Sequence, residues 1–428
     1  MNEQIYPQLG ERLYRKVLPN GLTVLVVPRP GFSKSLAYFA TDFGSVHTDF
    51  ILDGQAVLTP AGIAHYLEHK LFDLPGGRDV SEEFAALGAN VNAFTSYDMT
   101  AYLFSCTANF EKCLRLLLEF VSTPYFTEQS VAKEQGIIGQ EIGMNEDSAD
   151  TRVFENLMGA MYACHPIRVP ILGTVETISR ITPEYLHTCH KAFYHPENMV
   201  LCVVADVDPG LVAQMAQEML PSQPRPQVQP LTDWPELIQC HTPYVENTME
   251  VAMPMFQLGF KCEPIGTGEA AIRQEIVGDL AAEALFGESS QLYLELYEKG
   301  LIDSSFGGGF ETVQGMSMLT ASGDSDDPKA VRDAILARAM TLAETGIPMA
   351  DFLRMKRSAL GRRLRDLDSF DSTCFRLCAY HFSDFDYFCF PQVYQDVQEQ
   401  EVRAFLSRVI TPERCALSVI RPAEQEVS

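Results

Sequence analysis

At 428 residues, with 46% hydrophobic and 21% charged side chains, the chain has the make-up of a globular protein and is too long for one ordinary core. A net charge of −25 argues against a nucleic-acid partner, since phosphate contacts require a basic face. There is no apolar run of about 18 residues and no apolar leader, and the eleven cysteines are scattered without Cys-x-x-Cys pairing, so no membrane partner and a reducing, cytoplasmic location are expected.

Asn20-Gly21 signals a turn into a strand over Leu22–Val27, stopped at Pro28-Arg29-Pro30, and Leu36–Thr41 reads as a second strand. The stretch Thr59–Gly77, TPAGIAHYLEHKLFDLPGG, reads as one helix. Thr59 serves as N-cap, Pro60 suits the first helical position, and Pro75-Gly76-Gly77 stops it. Ile63, Leu67 and Leu71 make an aliphatic stripe, while His65, Glu68, His69 and Phe72 fall on another. A short helix over Val80–Leu87 ends at Gly88. Asn92–Ser96 and Thr100–Cys106, rich in aromatic and hydroxyl residues, read as adjacent strands.

Glu111–Val121 is a leucine-rich helix. The next helix opens near Thr127 and runs through VAKEQGIIGQEIGM. Its Gly136, Gly139 and Gly143 each cost about 1 kcal/mol relative to alanine, which suggests close approach of another backbone or a ligand. Helices over Thr151–Tyr162 and Pro183–Phe193 and a strand over Met199–Val204 complete the first half. Residues 221–236, PSQPRPQVQPLTDWPE, are proline-rich and read as a linker between an N-terminal domain, 1–220, and a C-terminal domain, 237–428. The halves echo each other: each ends in a helix, a proline turn with Pro196-Glu197 or Pro412-Glu413, and a buried strand, Met199–Val204 or Cys415–Ile420. A repeat of this length means duplicated domains. The second half holds only His241 and His381, and Gly307-Gly308-Gly309 lacks the lysine and hydroxyl of a phosphate loop, so it reads as an irregular strand.

The chemistry therefore lies in the first half. His65 and His69 are one helical turn apart, so both imidazoles can reach one ion, and Glu68 can face a water on it. This His-x-x-Glu-His pattern is the inverted zinc-peptidase motif; the bland alternative is two satisfied histidines flanking a solvated glutamate. A catalytic zinc takes three protein ligands and keeps a fourth position open, and Glu134, Glu141 and Glu146 on the 127–146 helix are the candidates for the third. The residues alone do not rank them.

HYLEHKLF, GANVNAFTS and KEQGIIGQEIGM, in that order and spacing, resemble the pitrilysin/insulinase family of zinc peptidases, which includes the mitochondrial processing peptidase. The likeness spans most of the first half and, more faintly, the second, and is strongest to bacterial single-chain members of about this length. It implies an α+β fold of two tandem homologous α/β-roll domains, each an antiparallel-rich sheet covered by helices, of the LuxS/MPP-like metallohydrolase type. It implies one zinc per chain, held by His65, His69 and Glu141, with Glu68 as general base and Glu134 supporting the site from behind. Asn92, Ala93 and Phe94 match the strand whose edge pairs with an extended peptide. The implied activity is metalloendopeptidase hydrolysis of peptides or small unfolded proteins; the rivals are a hydrolase of some other amide and a non-catalytic assembly subunit.

The sequence departs from the family in the second half. Active members carry an arginine and a tyrosine there, seven apart, that hold substrate; in LYEKGLIDSSF those positions are Leu296 and Asp303. The expectation is a heterodimer with a paralogue supplying the Arg/Tyr pair, or else a homodimer.

Overall fold

The computed structural model describes residues 1–220, 222, 224–231, 234–313 and 315–423. Of the linker expected at 221–236, positions 221, 223, 232 and 233 lie outside the described residues, and Val228–Pro230 is a short strand paired with Asp49–Leu52.

Two compact units are present, and neither is contiguous. The first comprises 1–142, 170–233 and 364–389; the second comprises 143–169, 234–363 and 390–428. The expected division at the linker therefore misses two exchanges, and the reason is packing. In the first unit the central strands Met199–Ala205 and Ser35–Thr41 are buried at every position, so both faces of the sheet are covered. The helix Phe370–Phe382 supplies one cover, placing Cys374 Sγ 3.9 Å from the carbonyl of Cys202. In the second unit the helix Ala149–Met161 plays this part. It packs so closely on Met255–Lys261 that a Cβ at Gly259 would lie 2.3 Å from Met161 Sδ.

The first sheet has seven strands in the order Asn2–Tyr6, Glu11–Val17, Thr23–Pro28, Met199–Ala205, Ser35–Thr41, Thr100–Cys106, Asn90–Thr95. All neighbours are antiparallel except Thr23–Pro28 with Met199–Ala205. The second runs Tyr244–Met249, Cys415–Pro422, Met255–Lys261, Met316–Asp324, Gly307–Val313, again with one parallel pair, the first. Its order repeats that of the last five strands of the first sheet, parallel pair included. The fold is thus the expected α+β pair of tandem, antiparallel-rich sheets covered by helices. Gly307-Gly308-Gly309 opens the edge strand of the second sheet, the counterpart of Asn90–Thr95.

The core of the first unit gathers under the sheet. Leu67, Leu71, Phe84, Phe104, Phe120 and Leu201 are fully buried there, and this packing fixes the helices that carry the site.

Candidate metal centre

The motif helix is shorter than its sequence suggested. It spans Ile63–Lys70 and starts at Gly62, not Thr59, whose hydroxyl donates to the Thr48 carbonyl instead. Gly62 takes a φ of +90°, and a Cβ there would lie 2.4 Å from the Leu172 carbonyl, so only glycine fits. This sharp entry turns the helix so that Ile63, Leu67 and Leu71 are buried on one side. His65, Glu68 and His69 face the other, with the two rings 4.6 Å apart.

The helix Glu128–Glu146 supplies the third group. Glu141 Oε1 lies 3.6 Å from His65 Nε2, and Oε2 lies 3.6 Å from His69 Nε2. These separations are too long for hydrogen bonds. Each is close to the edge, about 3.4 Å, of a tetrahedron with metal–ligand bonds of about 2.1 Å, with a different carboxylate oxygen facing each ring. Ligand atoms of all three residues fall within 4.8 Å of one another, and among the described residues this is the one such cluster of three. The donor set fits a zinc ion, with two nitrogens and one carboxylate. Among the described residues no other backbone approaches the glycines of this helix: a Cβ at Gly136, Gly139 or Gly143 would meet nothing within 4 Å.

Glu134 stands behind His69. Its Oε1 is 3.0 Å from His69 Nδ1, which fixes the ring so that Nε2 points toward Glu141. Burial raises the proton affinity of the Glu134 carboxyl, but His69, Lys70 and Lys133 outweigh it and leave the pKa below the ordinary range. For His69, burial acts to lower the pKa, and the hydrogen bond to Glu134 with the charges of Glu68, Glu134 and Glu141 more than reverses it. Glu141 is held low by His65 against the opposing effect of burial. Two residues that sequence reasoning missed brace this arrangement. Lys70 is fully buried, with Nζ bonded to Asp73 and 3.9 Å from Glu134 Oε2. The Tyr66 hydroxyl donates to the Val131 carbonyl and so ties the two helices together. An ammonium inside a helix–helix contact has no periodic signature. His65 has no such support: its Nδ1 is buried without a hydrogen-bond partner among the described residues.

Glu68 is 8% exposed, and burial pushes its pKa up against the pull of Thr95, His65 and His69. The Thr95 hydroxyl donates to its Oε2 at 2.6 Å. Thr95 ends the strand Asn90–Thr95, the outermost of the first sheet, which among the described residues pairs with Thr100–Cys106 alone. Asn92, Ala93 and Phe94 therefore sit on a sheet edge whose outer side has no strand partner among the described residues. Val91 and Ala93 pack toward the core, on the face that carries Thr95. Phe94 turns to the opposite face, its ring 5.9 Å from Phe375.

The description "Insulinase (Peptidase family M16)" matches residues 59–175, and "Peptidase M16 inactive domain" matches residues 180–359. An uncharacterized zinc protease of Bacillus subtilis, YmfH, is 37% identical over 428 residues, covering 97% of this chain and 98% of that one. The chain belongs to the M16 peptidase family. Its structure resembles that of an M16-like peptidase from Alicyclobacillus acidocaldarius, with a TM-score of 0.93 and 32% identity over 98% of this chain and all of the other. A protease from Helicobacter pylori shares the fold, with a TM-score of 0.82 at 20% identity, covering 96% and 100% of the two chains. The His-His-Glu cluster lies in the part that carries the insulinase match.

The second M16 unit offers no such centre among its described residues. Leu296 is a core residue, 1% exposed, on the helix Gln291–Glu298. Asp303 is exposed, and its carboxylate accepts the Ser305 N–H at 2.7 Å. No helix of the described chain is long and apolar enough to cross a membrane.

Proposed function

We propose that this M16 chain is a zinc metalloendopeptidase acting on peptides or small unfolded proteins, with one zinc held by His65, His69 and Glu141. The observation that carries this reading is the convergence of three donors within 4.8 Å of one another, with Glu141 3.6 Å from each histidine ring and Glu68 beside His69 on the motif helix. A bound zinc supplies Lewis acidity, which polarises the scissile carbonyl and makes the attacking water more acidic. Glu68 takes the proton of that water and later delivers it to the leaving amine; its buried, base-strengthening surroundings suit it to the task. Glu134 holds the His69 ring in orientation. Asn92, Ala93 and Phe94 offer main-chain groups along the open sheet edge, so an extended substrate adds as a further strand, gripped whatever its sequence.

The second unit bears on partners. A buried Leu296 and an acidic Asp303 stand where an arginine and a tyrosine would hold substrate, which favours a heterodimer in which a paralogue supplies that pair, with a homodimer as the other arrangement. The reading of a non-catalytic assembly subunit is disfavoured because His65, Glu68, His69 and Glu141 are all in place.

The test is metal analysis of the purified chain, with digestion of a peptide mixture with and without chelator. Stoichiometric zinc and chelator-sensitive cleavage are expected, in the single chain or after adding the paralogue. Absence of bound metal overturns the proposal.

A further inference from the structure

The peptidase reading needs a carboxylate aimed at a water, and aim is a matter of torsion. The last side-chain torsion of a glutamate is broad, so burial alone does not set which oxygen faces the reacting atoms. Glu68 extends from the last turn of the largely buried helix Ile63–Lys70, and among the described residues the Thr95 hydroxyl is its one hydrogen-bond donor.

Thr95 is itself held from several sides. It is β-branched, with a stiff first torsion. It lies opposite Thr100 in the strand register, its hydroxyl 3.3 Å from that of Thr100, which donates to the Phe43 carbonyl at 2.8 Å. The hairpin that follows is closed by Ser96 N–H to the Met99 carbonyl at 2.8 Å. It is clamped to the preceding loop by Ser45 N–H to Ser96 O at 3.1 Å and Val46 N–H to Tyr97 O at 2.9 Å. A Cβ at Gly44 would lie 2.5 Å from the Tyr97 backbone, so the clamp is tight.

We infer that Thr95 is a positioning residue: its hydroxyl pins Glu68 Oε2 and thereby presents Oε1 to the attacking water. The same strand that offers its open edge to the substrate backbone thus aligns the base, so substrate seating and base alignment share one rigid element. This inference rests on the peptidase reading for its consequence, while its geometry can be tested apart from it.

The experiment compares Thr95→Val and Thr95→Ser in the full chain, assayed alone or with the paralogue, whichever is active. Losing a hydrogen bond to a charged group is expected to lower kcat of Thr95→Val by about 10- to 100-fold. KM and zinc content should stay at wild-type levels, and Thr95→Ser should recover activity to within about threefold of wild type. The second readout is crystallographic: Glu68 should turn or split into two orientations in Thr95→Val and keep a single one in Thr95→Ser. An unchanged kcat in Thr95→Val, or a Glu68 carboxylate that stays in place without the hydroxyl, overturns the inference. If the wild type binds zinc and cleaves nothing in either setting, the peptidase reading falls, and the crystallographic comparison still decides for or against the pin.

Discussion

Acidification should loosen the second unit around Trp234 well before the chain as a whole loses its charge balance. The Glu236 carboxylate accepts N–H bonds from Cys164 and His165 and is 2.8 Å from the Nζ of Lys261, with the two side chains 7% and 2% exposed. Burial opposes its ionisation, but Lys261 and the two N–H groups bring its pKa down from 4.5 to about 2. At about 1.4 kcal/mol per pH unit, that gap is worth about 3 kcal/mol. The contribution is fully present above pH 4.5 and drains away as the pH falls toward 2. His165 is 4% exposed, and burial lowers its pKa from 6.5 to about 4, with Lys261 adding to this and Glu236 opposing it. Its neutral form is the one that fits, so its share, of similar size, is complete above pH 6.5 and is lost as the pH falls through 4. The two are neighbours and will not add in full.

The chain has a single tryptophan, and Trp234 packs edge-on to His165 with ring centres 5.3 Å apart. Urea unfolding followed by Trp234 fluorescence therefore reports this clasp by itself, which matters in a chain of two units. The midpoint should fall from pH 6.5 downward, although approach to the pI near 4.7 relieves the net charge of −25 and by itself would stabilise. Glu236→Gln should cost about 3–5 kcal/mol at pH 7, because Lys261 is left buried without its counter-charge, and should flatten the dependence below pH 4.5. A wild-type midpoint that is level from pH 7 to 3, or a variant within about 0.5 kcal/mol of wild type, refutes the reasoning.

His65→Ala and His69→Ala should each lose bound metal by elemental analysis, whereas Glu68→Gln should keep the metal and lose turnover by about 100-fold or more. Glu134→Ala should weaken zinc binding by about 10- to 100-fold in a competition titration, and Glu134→Gln, which still accepts from His69 Nδ1, should lose less. Two glycine substitutions should move stability in opposite directions by calorimetry. Gly62→Ala forces a side chain at φ +90° into the Leu172 carbonyl and should cost about 1–3 kcal/mol. Gly136→Ala fills open space on a helix and should gain up to about 1 kcal/mol.

The site was legible where its signal is local. His65, Glu68 and His69 lie on one helix, so spacing alone placed them on one face. Glu141 was not ranked over Glu134 and Glu146 by spacing, because what distinguishes it is the crossing of two helices, pinned by Tyr66 on Val131. The start of the motif helix was misread for a similar reason. Thr59-Pro60 has the local chemistry of a helix start, but the Leu172 carbonyl presses on Gly62 from afar and sets the entry there. Beside the three helix glycines no other backbone among the described residues makes the close approach, and the space that a ligand could take is open. The strand order repeated between the two sheets was foreshadowed by the matched Pro-Glu turns. The exchange of covering helices was not, since an amphipathic helix does not declare which sheet it will cover.

The charges around the candidate centre favour a dication. Glu68, Glu134 and Glu141 bring three negative charges to one side of the motif helix, and Lys70, fully buried, returns one. Asp73, bonded to that lysine, has a half-exposed side chain and is left to the solvent. The remaining charge of −2 is only partly shielded, with Glu68 8%, Glu134 14% and Glu141 40% exposed, and unpaired charge is costly to the extent that it is buried. A dication placed between His65, His69 and Glu141 brings the set to neutrality with no side chain changing its protonation. Zinc held there would be coupled to the stability of these two helices, so added zinc should raise the unfolding midpoint by an amount that grows with the logarithm of its free concentration.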